Sequence, residues 1–317
     1  MTGKIAASGN CNTLWNYQDL TAPLKEFCGM YMFDGCTSLT QAPELPATTL
    51  VNSCYSSMFR DCTSLTQAPE LPATTLAGSC YYRMFEGCTS LSQAPELPAT
   101  ALASGCVFCY ANMFNSCTSL TQAPELPATT LTDGCYSSMF YGCTNLSQAP
   151  ELPATTLVSS CYGSMFYGCT SLSQAPELPA TTLTDYCYNQ MFYGCANLST
   201  IKCLATDISA TYALTNWTDG VASTGTFTKA GDVEWPAGTS GIPIGWTVKT
   251  HGKIQQNYVT FTAEEADSTI GLAKLGSVHT LEYSMDEQSW TPMTAETSVT
   301  LANINDKVYV RGILNDN

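Results

Sequence analysis

Cys54-Tyr55-Ser56-Ser57-Met58-Phe59-Arg60-Asp61-Cys62, continued by Thr63-Ser64-Leu65-Thr66-Gln67-Ala68-Pro69-Glu70-Leu71-Pro72-Ala73-Thr74-Thr75-Leu76, decides the fold because the chain repeats it. Its Met-Phe pair recurs at 32–33, 58–59, 84–85, 113–114, 139–140, 165–166 and 191–192, at intervals of 26, 26, 29, 26, 26 and 26 residues. A fixed period of this length is the signature of a solenoid, whose units bury their apolar faces only against their neighbours. Function in such a chain belongs to a surface before it belongs to a reacting centre.

The spacing within one repeat carries geometry. Placed at helical intervals, Cys54, Tyr55, Met58, Phe59 and Cys62 fall within an arc of about 140°. Ser56, Ser57, Arg60 and Asp61 fall outside it. This predicts a short amphipathic helix with one buried face. Gly35, Gly87, Gly142, Gly168 and Gly194 precede the second Cys of their repeats, where a helix end accepts glycine. Leu65 to Ala68 reads as a short strand that stops before Pro69, since proline has no N–H for a ladder. Pro69 to Thr75 should then be an irregular turn. One short strand and one short helix per unit predict an α/β solenoid of about seven 26-residue repeats over 24–195.

The flanks differ in pattern. Residues 1–23 read as an N-terminal cap with a first strand at Lys4 to Ser8. Residues 196–249 read as a C-terminal cap, with a last helix at 211–218, strands near 226–228 and 245–248, and tryptophans to cover the final repeat. Residues 250–257 read as a linker. From 258 the apolar period changes from helical to two. Six strand candidates, at 258–262, 270–272, 281–284, 290–291, 299–301 and 307–311, predict a small antiparallel β-sandwich over 258–317, with a hairpin turn at Asp286-Glu287-Gln288.

The string Leu45-Pro46-Ala47-Thr48-Thr49-Leu50, then Cys54-Tyr55, Met58-Phe59 and Cys62-Thr63-Ser64-Leu65, resembles the BspA-like leucine-rich repeats of bacterial surface proteins. The resemblance spans roughly residues 24–200. It departs from the family where Cys54 and its equivalents replace the usual Ile, and in a longer Pro-bearing turn. It implies a leucine-rich-repeat solenoid, binding or adhesion at a cell surface, and no catalysis. Similar arrays occur in gut bacteria and their phages.

Composition narrows the classes further. The net charge is −15 with only 11 Lys and Arg, which form no run. Nucleic-acid binding needs clustered cations, so that class is excluded. No apolar run approaches membrane-spanning length, so membrane insertion is not expected. The start, Met1-Thr2-Gly3-Lys4-Ile5, has no apolar core of a signal peptide. Seventeen cysteines are an odd number that follows the repeat. Stacked free thiols, acting as small core residues, are favoured over a disulfide ladder. His251 and His279 stand in no metal or triad spacing. Cys106-Val107-Phe108-Cys109 lies in the three-residue insertion and lacks a thioredoxin-like context. No phosphate loop or nucleophile elbow is present. No enzyme, metal or cofactor is expected.

Two surfaces stand out. The repeats differ from one another at outward positions beside the buried face: Arg60, Asp61, Tyr82, Arg83, Glu86, Asn112, Asn189 and Gln190, with Tyr141, Tyr167 and Tyr193 aligned in three successive repeats. This is the candidate partner-binding face. The second is an acidic ladder of Glu44, Glu70, Glu96, Glu125, Glu151 and Glu177. Strands stacked ~4.8 Å apart would bring these carboxylates together, and like charges repel across strands. Hydrogen bonding within the turn is the favoured resolution. Splaying into solvent and gathering of Ca²⁺ or a basic partner are the others. The leading functional reading is a non-catalytic binding or adhesion protein, on a cell surface or extracellular, that recognises a protein or glycan. The alternative is a structural module of a larger assembly, a phage tail fibre (and hence a virion) or a surface layer, joined by self-assembly through its terminal β segments.

Overall fold

The computed structural model describes residues 3–16, 18–19, 22–231, 233–251, 258–271, 279–286, 289–294 and 297–314. The chain divides into two compact units, 1–251 and 252–317.

The first unit is a stack of rungs, each a turn segment followed by an extended segment. The expected helix is absent. Among the described residues there is no α-helix, and the one helical element is a 3-10 turn at Cys11–Leu14. Residues 53–62 instead form a series of tight turns with a left-handed residue at every fourth position: Ser53 at φ 55°, Ser57 at 53° and Asp61 at 56°. The amides alternate in their use. Ser56, Met58 and Arg60 donate to the carbonyl three residues back, at 3.2–3.3 Å. Tyr55, Ser57 and Phe59 donate to Cys80, Tyr82 and Met84 of the next rung, at 2.7–3.0 Å. A helix would spend every amide inside its own segment and leave no backbone link between rungs.

The residues at the left-handed positions explain the choice. Gly35, Gly87, Gly142, Gly168, Gly194 and Gly220 occupy the position of Asp61 with φ of 68–74°. Only glycine adopts that conformation without cost, and Asn and Asp tolerate it. The glycines read from the sequence as helix ends are the third of three such positions. The buried spacing i, i+1, i+4, i+5, i+8 is a period of four. Over nine residues a helix and a four-residue turn series share it. The expected last helix at 211–218 is also a turn segment, with positive φ at Tyr212, Asn216 and Gly220, so the turn pattern continues beyond 195.

The extended side is parallel and mostly unlocked. Strand β1 (Ile5–Ala6) pairs with β2 (Leu39–Gln41). Through the middle rungs only single bridges join neighbours, such as Gln41 to Gln67 and Gln122 to Gln148. The prolines of each Gln-Ala-Pro-Glu-Leu-Pro string remove the donors that a ladder needs. Regular pairing returns with the last such string, whose next-rung partner carries no proline: β3 (Gln174–Leu178), β4 (Thr200–Cys203), β5 (Thr226–Ala230) and β6 (Thr247–His251) form a parallel sheet in that order.

The core is built in columns. The Phe column, Phe33 to Phe192, stacks with ring centroids 5.3–5.8 Å apart. The Tyr column, Tyr55 to Tyr188, stacks at 5.5–6.2 Å. Both end on Trp217, which is fully buried and donates its indole N–H to Gly241 O at 2.9 Å. All seventeen cysteines are unpaired. The thiol of Cys62 donates to Phe33 O at 3.1 Å, and Cys88, Cys117, Cys143, Cys169 and Cys195 repeat the bond at 3.0–3.1 Å. Each Phe carbonyl already takes a turn amide, so the thiol fills its second lone pair. Burial pushes the Cys62, Cys143 and Cys195 thiols up to about 12. The insertion is absorbed at Gly105 to Phe108. Phe108 lies against Gly134, where an added Cβ would run into the ring.

The second unit holds two antiparallel sheets. Its strands are β7 (Tyr258–Thr262), β8 (Ser268–Gly271), β9 (His279–Ser284), β10 (Thr291–Met293), β11 (Ser298–Leu301) and β12 (Lys307–Leu314). The orders are β10-β9-β12-β7 and β11-β8. Ala263, Val299, Leu301 and Val308 form its small core, with Ile270 and Tyr283 against it. Most of the expected linker, and most of the hairpin turn at 286–288, lie outside the described residues.

Two outcomes follow from this packing. Phe114→Ala should lower stability in chemical denaturation by about 3–5 kcal/mol, and a loss below about 1 kcal/mol would contradict a close-packed Phe column. Native-state alkylation should label Cys28 and Cys36, the two partly exposed thiols, well before the others. Unfolding without reductant should then expose all seventeen to labelling; fewer labels by intact mass would mean bridges.

Candidate binding face

The inter-rung bonds place corresponding side chains one above another. One outward column runs Asp34, Arg60, Glu86, Asn115, Tyr141, Tyr167, Tyr193 and Asp219, as the amide bonds from Gly35 to Arg60 O through Gly194 to Asp219 O require. The column changes character along its length.

Its first part is charged. Arg60 grips Asp34 with two bonds of 2.7 and 2.8 Å, and lies 5.5 Å from the centre of the Tyr31 ring. Asp61 stands 3.8 Å from the same guanidinium. Hydrogen bonding to Asp34 raises the Arg60 pKa above its ordinary value. Arg83 lies over Tyr82 at 5.0 Å and 3.3 Å from Glu86, yet neither Arg83 Nε nor Glu86 Oε2 makes a hydrogen bond. Burial therefore prevails over the two arginines, and the Glu86 carboxyl is held above its ordinary range.

Its second part is aromatic. Tyr141 and Tyr167 stack with centroids 4.4 Å apart, and Tyr167 and Tyr193 at 4.6 Å, nearly parallel. The rings cover one another's faces, so all three are half-exposed and present edges and hydroxyls to solvent. Desolvation within the row, then the Tyr141 phenol, raise the Tyr167 phenol above its ordinary value. Asn189 reaches Tyr212 O at 3.4 Å, and Gln190 occupies a left-handed turn position. Asn112 accepts from Asn115 at 3.1 Å, between the two parts.

The eleven sequence-selected residues thus lie on the turn segments but in two groups, separated by Asn112. Asp34, Tyr31, Tyr186 and Tyr212 belong to the same face and were not selected. Tyr186 and Tyr212 are exposed and 5.1 Å apart. For three of the four the signal was available: Asp34 stands 26 residues before Arg60, and Tyr186 26 residues before Tyr212.

The acidic ladder lies on the extended side. Glu44, Glu70, Glu96, Glu125, Glu151 and Glu177 are all exposed. The favoured expectation of turn hydrogen bonds is not met. Only Glu177 among the six has a side-chain partner, Lys202 at 2.9 Å. In β3 the pairing register shifts between Gln174 and Glu177, so both face solvent while Ala175, Pro176 and Leu178 are buried. Repulsion is relieved by solvent instead. Among the described residues no group of three or more acidic, His or Cys side chains could hold a metal ion.

Stacked turn rungs with one Leu-led extended segment each define a leucine-rich-repeat solenoid. The chain belongs to the BspA-type leucine-rich-repeat family: the model for the BspA type Leucine rich repeat region matches residues 16–107 and 108–216, with six copies. No curated protein and no solved structure matches it. Repeats of this family are generally non-catalytic and point to a protein-binding, adhesion-type role at a surface. No helix among the described residues is long and apolar enough to cross a membrane.

Glu86 gives a test of the face. Its folded-state pKa is raised, so its contribution is fully present below the ordinary value of 4.5 and is lost as pH rises through the folded value. Glu86→Gln should therefore melt higher than the parent at neutral pH, with the difference vanishing in acid; a lower melting temperature at neutral pH would show that the Arg83 pair dominates.

Proposed function

We propose that the protein is a non-catalytic adhesin that recognises a protein or glycan on a cell surface through the turn face of its solenoid. The observation that carries this is the contrast between the two sides of the stack. The Gln-Ala-Pro-Glu side repeats almost unchanged from rung to rung, whereas the turn side carries an ion-pair group at one end and a tyrosine stack at the other. Distinct side chains at fixed spacing are what a specific partner reads, and Tyr and Arg are the residues most often found as binding anchors. The β unit, read as a sandwich over 258–317, acts as a spacer beyond the repeats, and 196–249 acts as the cap of the solenoid.

The assembly reading has one observation behind it. Strand β7 is an edge of its sheet, and Val259 and Phe261 on it are 60% and 42% exposed. An apolar edge strand is a template for pairing with another chain.

Screening the chain on glycan and surface-protein arrays separates the two. A ligand should bind a monomer, and Tyr141→Ser, Tyr167→Ser and Tyr193→Ser together should weaken it at least about tenfold, or about 1.4 kcal/mol. Undiminished binding by that variant, or concentration-dependent assembly in sedimentation that Val259→Lys abolishes, would favour the assembly role.

A further inference from the structure

The first cysteines of the repeats form a column through the core, and one of them differs from the rest. Cys54 and those beyond it are buried, whereas Cys28 is partly exposed. Burial pushes up the thiols of Cys80, Cys109, Cys135, Cys161 and Cys187. Cys28 moves the other way. A hydrogen bond between its side chain and that of Cys54 holds it below the ordinary thiol value, against its own partial burial. The same bond, then burial, pushes Cys54 up. Cys54 therefore keeps the proton of the pair, and Cys28 has the thiolate character. The backbone holds the two sulfurs within reach. Gly29 donates its amide to Cys54 O, and an added Cβ at Gly29 would meet that oxygen at 2.8 Å. Cys28 Sγ lies 3.9 Å from the same oxygen. Rungs stacked at about 4.8 Å fall within the Cα separation of roughly 4.4–6.8 Å that a disulfide spans. Cys11, a buried thiol of the N-terminal segment, also neighbours Cys28; burial, then the charge at Cys28, push it up to about 11. The other partly exposed thiol, Cys36, lacks such a partner, because Cys62 of the next rung is turned to Phe33 O at 3.1 Å.

We propose that Cys28 is an oxidative modification site resolved by Cys54, so that a low-molecular-weight disulfide converts the pair into a disulfide between neighbouring rungs. An accessible thiolate beside a second thiol is the arrangement that separates redox-responsive cysteines from structural ones. In the first step the Cys28 thiolate attacks one sulfur of the oxidant. A mixed disulfide forms on Cys28, and one thiolate leaves. Capping Cys28 ends the hydrogen bond that chiefly held the proton on Cys54. In the second step the Cys54 sulfur attacks the Cys28 sulfur. The bond from Cys28 to the cap breaks, and the Cys54 proton goes with the departing sulfur as a thiol. Two protein sulfurs are oxidised and one small disulfide is reduced. The product ties two rungs across 26 residues of chain, at a place where the rest of the column is closed to reagents by burial. The site stands apart from the turn-face reading, which its failure would leave untouched.

The probe is glutathione disulfide, added to the fully reduced chain after the reductant is removed, with acid quenching, pepsin digestion and mass mapping over time. The expected map joins Cys28 to Cys54 with the loss of two hydrogens, after a transient glutathione adduct on Cys28, while Cys36 carries glutathione alone. Added dithiol should reverse the bridge. Cys54→Ala should leave Cys28 trapped as the adduct and slow its formation, since the bond that favours the thiolate is gone. The parent map decides without the variant, so poor folding of the variant does not blunt the test. A lasting adduct on Cys28 of the parent, a bridge from Cys28 to Cys11 or Cys36, or capping of Cys28 no faster than Cys36 would each overturn the proposal.

Discussion

Everything in the solenoid depends on the amide bond that passes from every second turn residue to the carbonyl of the next rung. Ser57 to Tyr82 O at 2.7 Å, repeated as Asn112 to Ser137 O at 2.8 Å and Ser164 to Asn189 O at 2.7 Å, fixes the vertical spacing of the turn side. Once that spacing is set, identical side chains must stack on identical side chains. The Phe and Tyr columns, the buried Met column and the thiol columns are consequences of backbone register. The left-handed residue at every fourth position is what turns alternate amides outward, so Ser, Asp, Asn and Gly at those sites do as much for the fold as the apolar residues between them.

The side chains then solve what the backbone leaves over. A Phe carbonyl that already closes a turn has a lone pair to spare inside an apolar core. The thiol of the following rung fills it with a small group that donates one proton and needs no water. Burial keeps those thiols protonated, and therefore poor nucleophiles. At the end of the stack the two aromatic columns need a cover that can also satisfy polar edges. Trp217 supplies both: it stacks on Trp235 at 5.8 Å and donates its own indole N–H to Gly241 O.

The solenoid was legible in the sequence because its period is long and strict, and the family followed from the same residues. The secondary structure of the turn segment was not. Cys54, Tyr55, Met58, Phe59 and Cys62 have the same inward pattern in a helix and in a four-residue turn series, and only the fate of the amides separates them. The recurrence of glycine before the second Cys, in five of seven repeats, was the one local clue. The strands of the β unit were closer to legible, since alternation over Ser298 to Leu301 is a direct reading of one buried and one exposed face. On the candidate face, the tyrosine row was visible as a 26-residue spacing. That the rings would close on each other and show only edges follows from the ring spacing, which no sequence states. The glutamates went astray because repulsion was weighed against hydrogen bonds in the turn, while the irregular extended segment turns them into solvent.

The prolines of the extended side give the molecule an uneven mechanics. The turn side is stitched to its neighbour at every second residue, and the extended side of the middle rungs by single bridges. A pull that parts the rungs would meet stiff resistance along the turn edge and little along the proline edge. The stack should therefore flex as a hinge that opens on one side, and stiffen where Thr200-Ile201-Lys202-Cys203 replaces the proline string and the sheet is whole. Load applied through the C-terminal end would enter the solenoid at its most rigid point and be taken up in its more compliant middle.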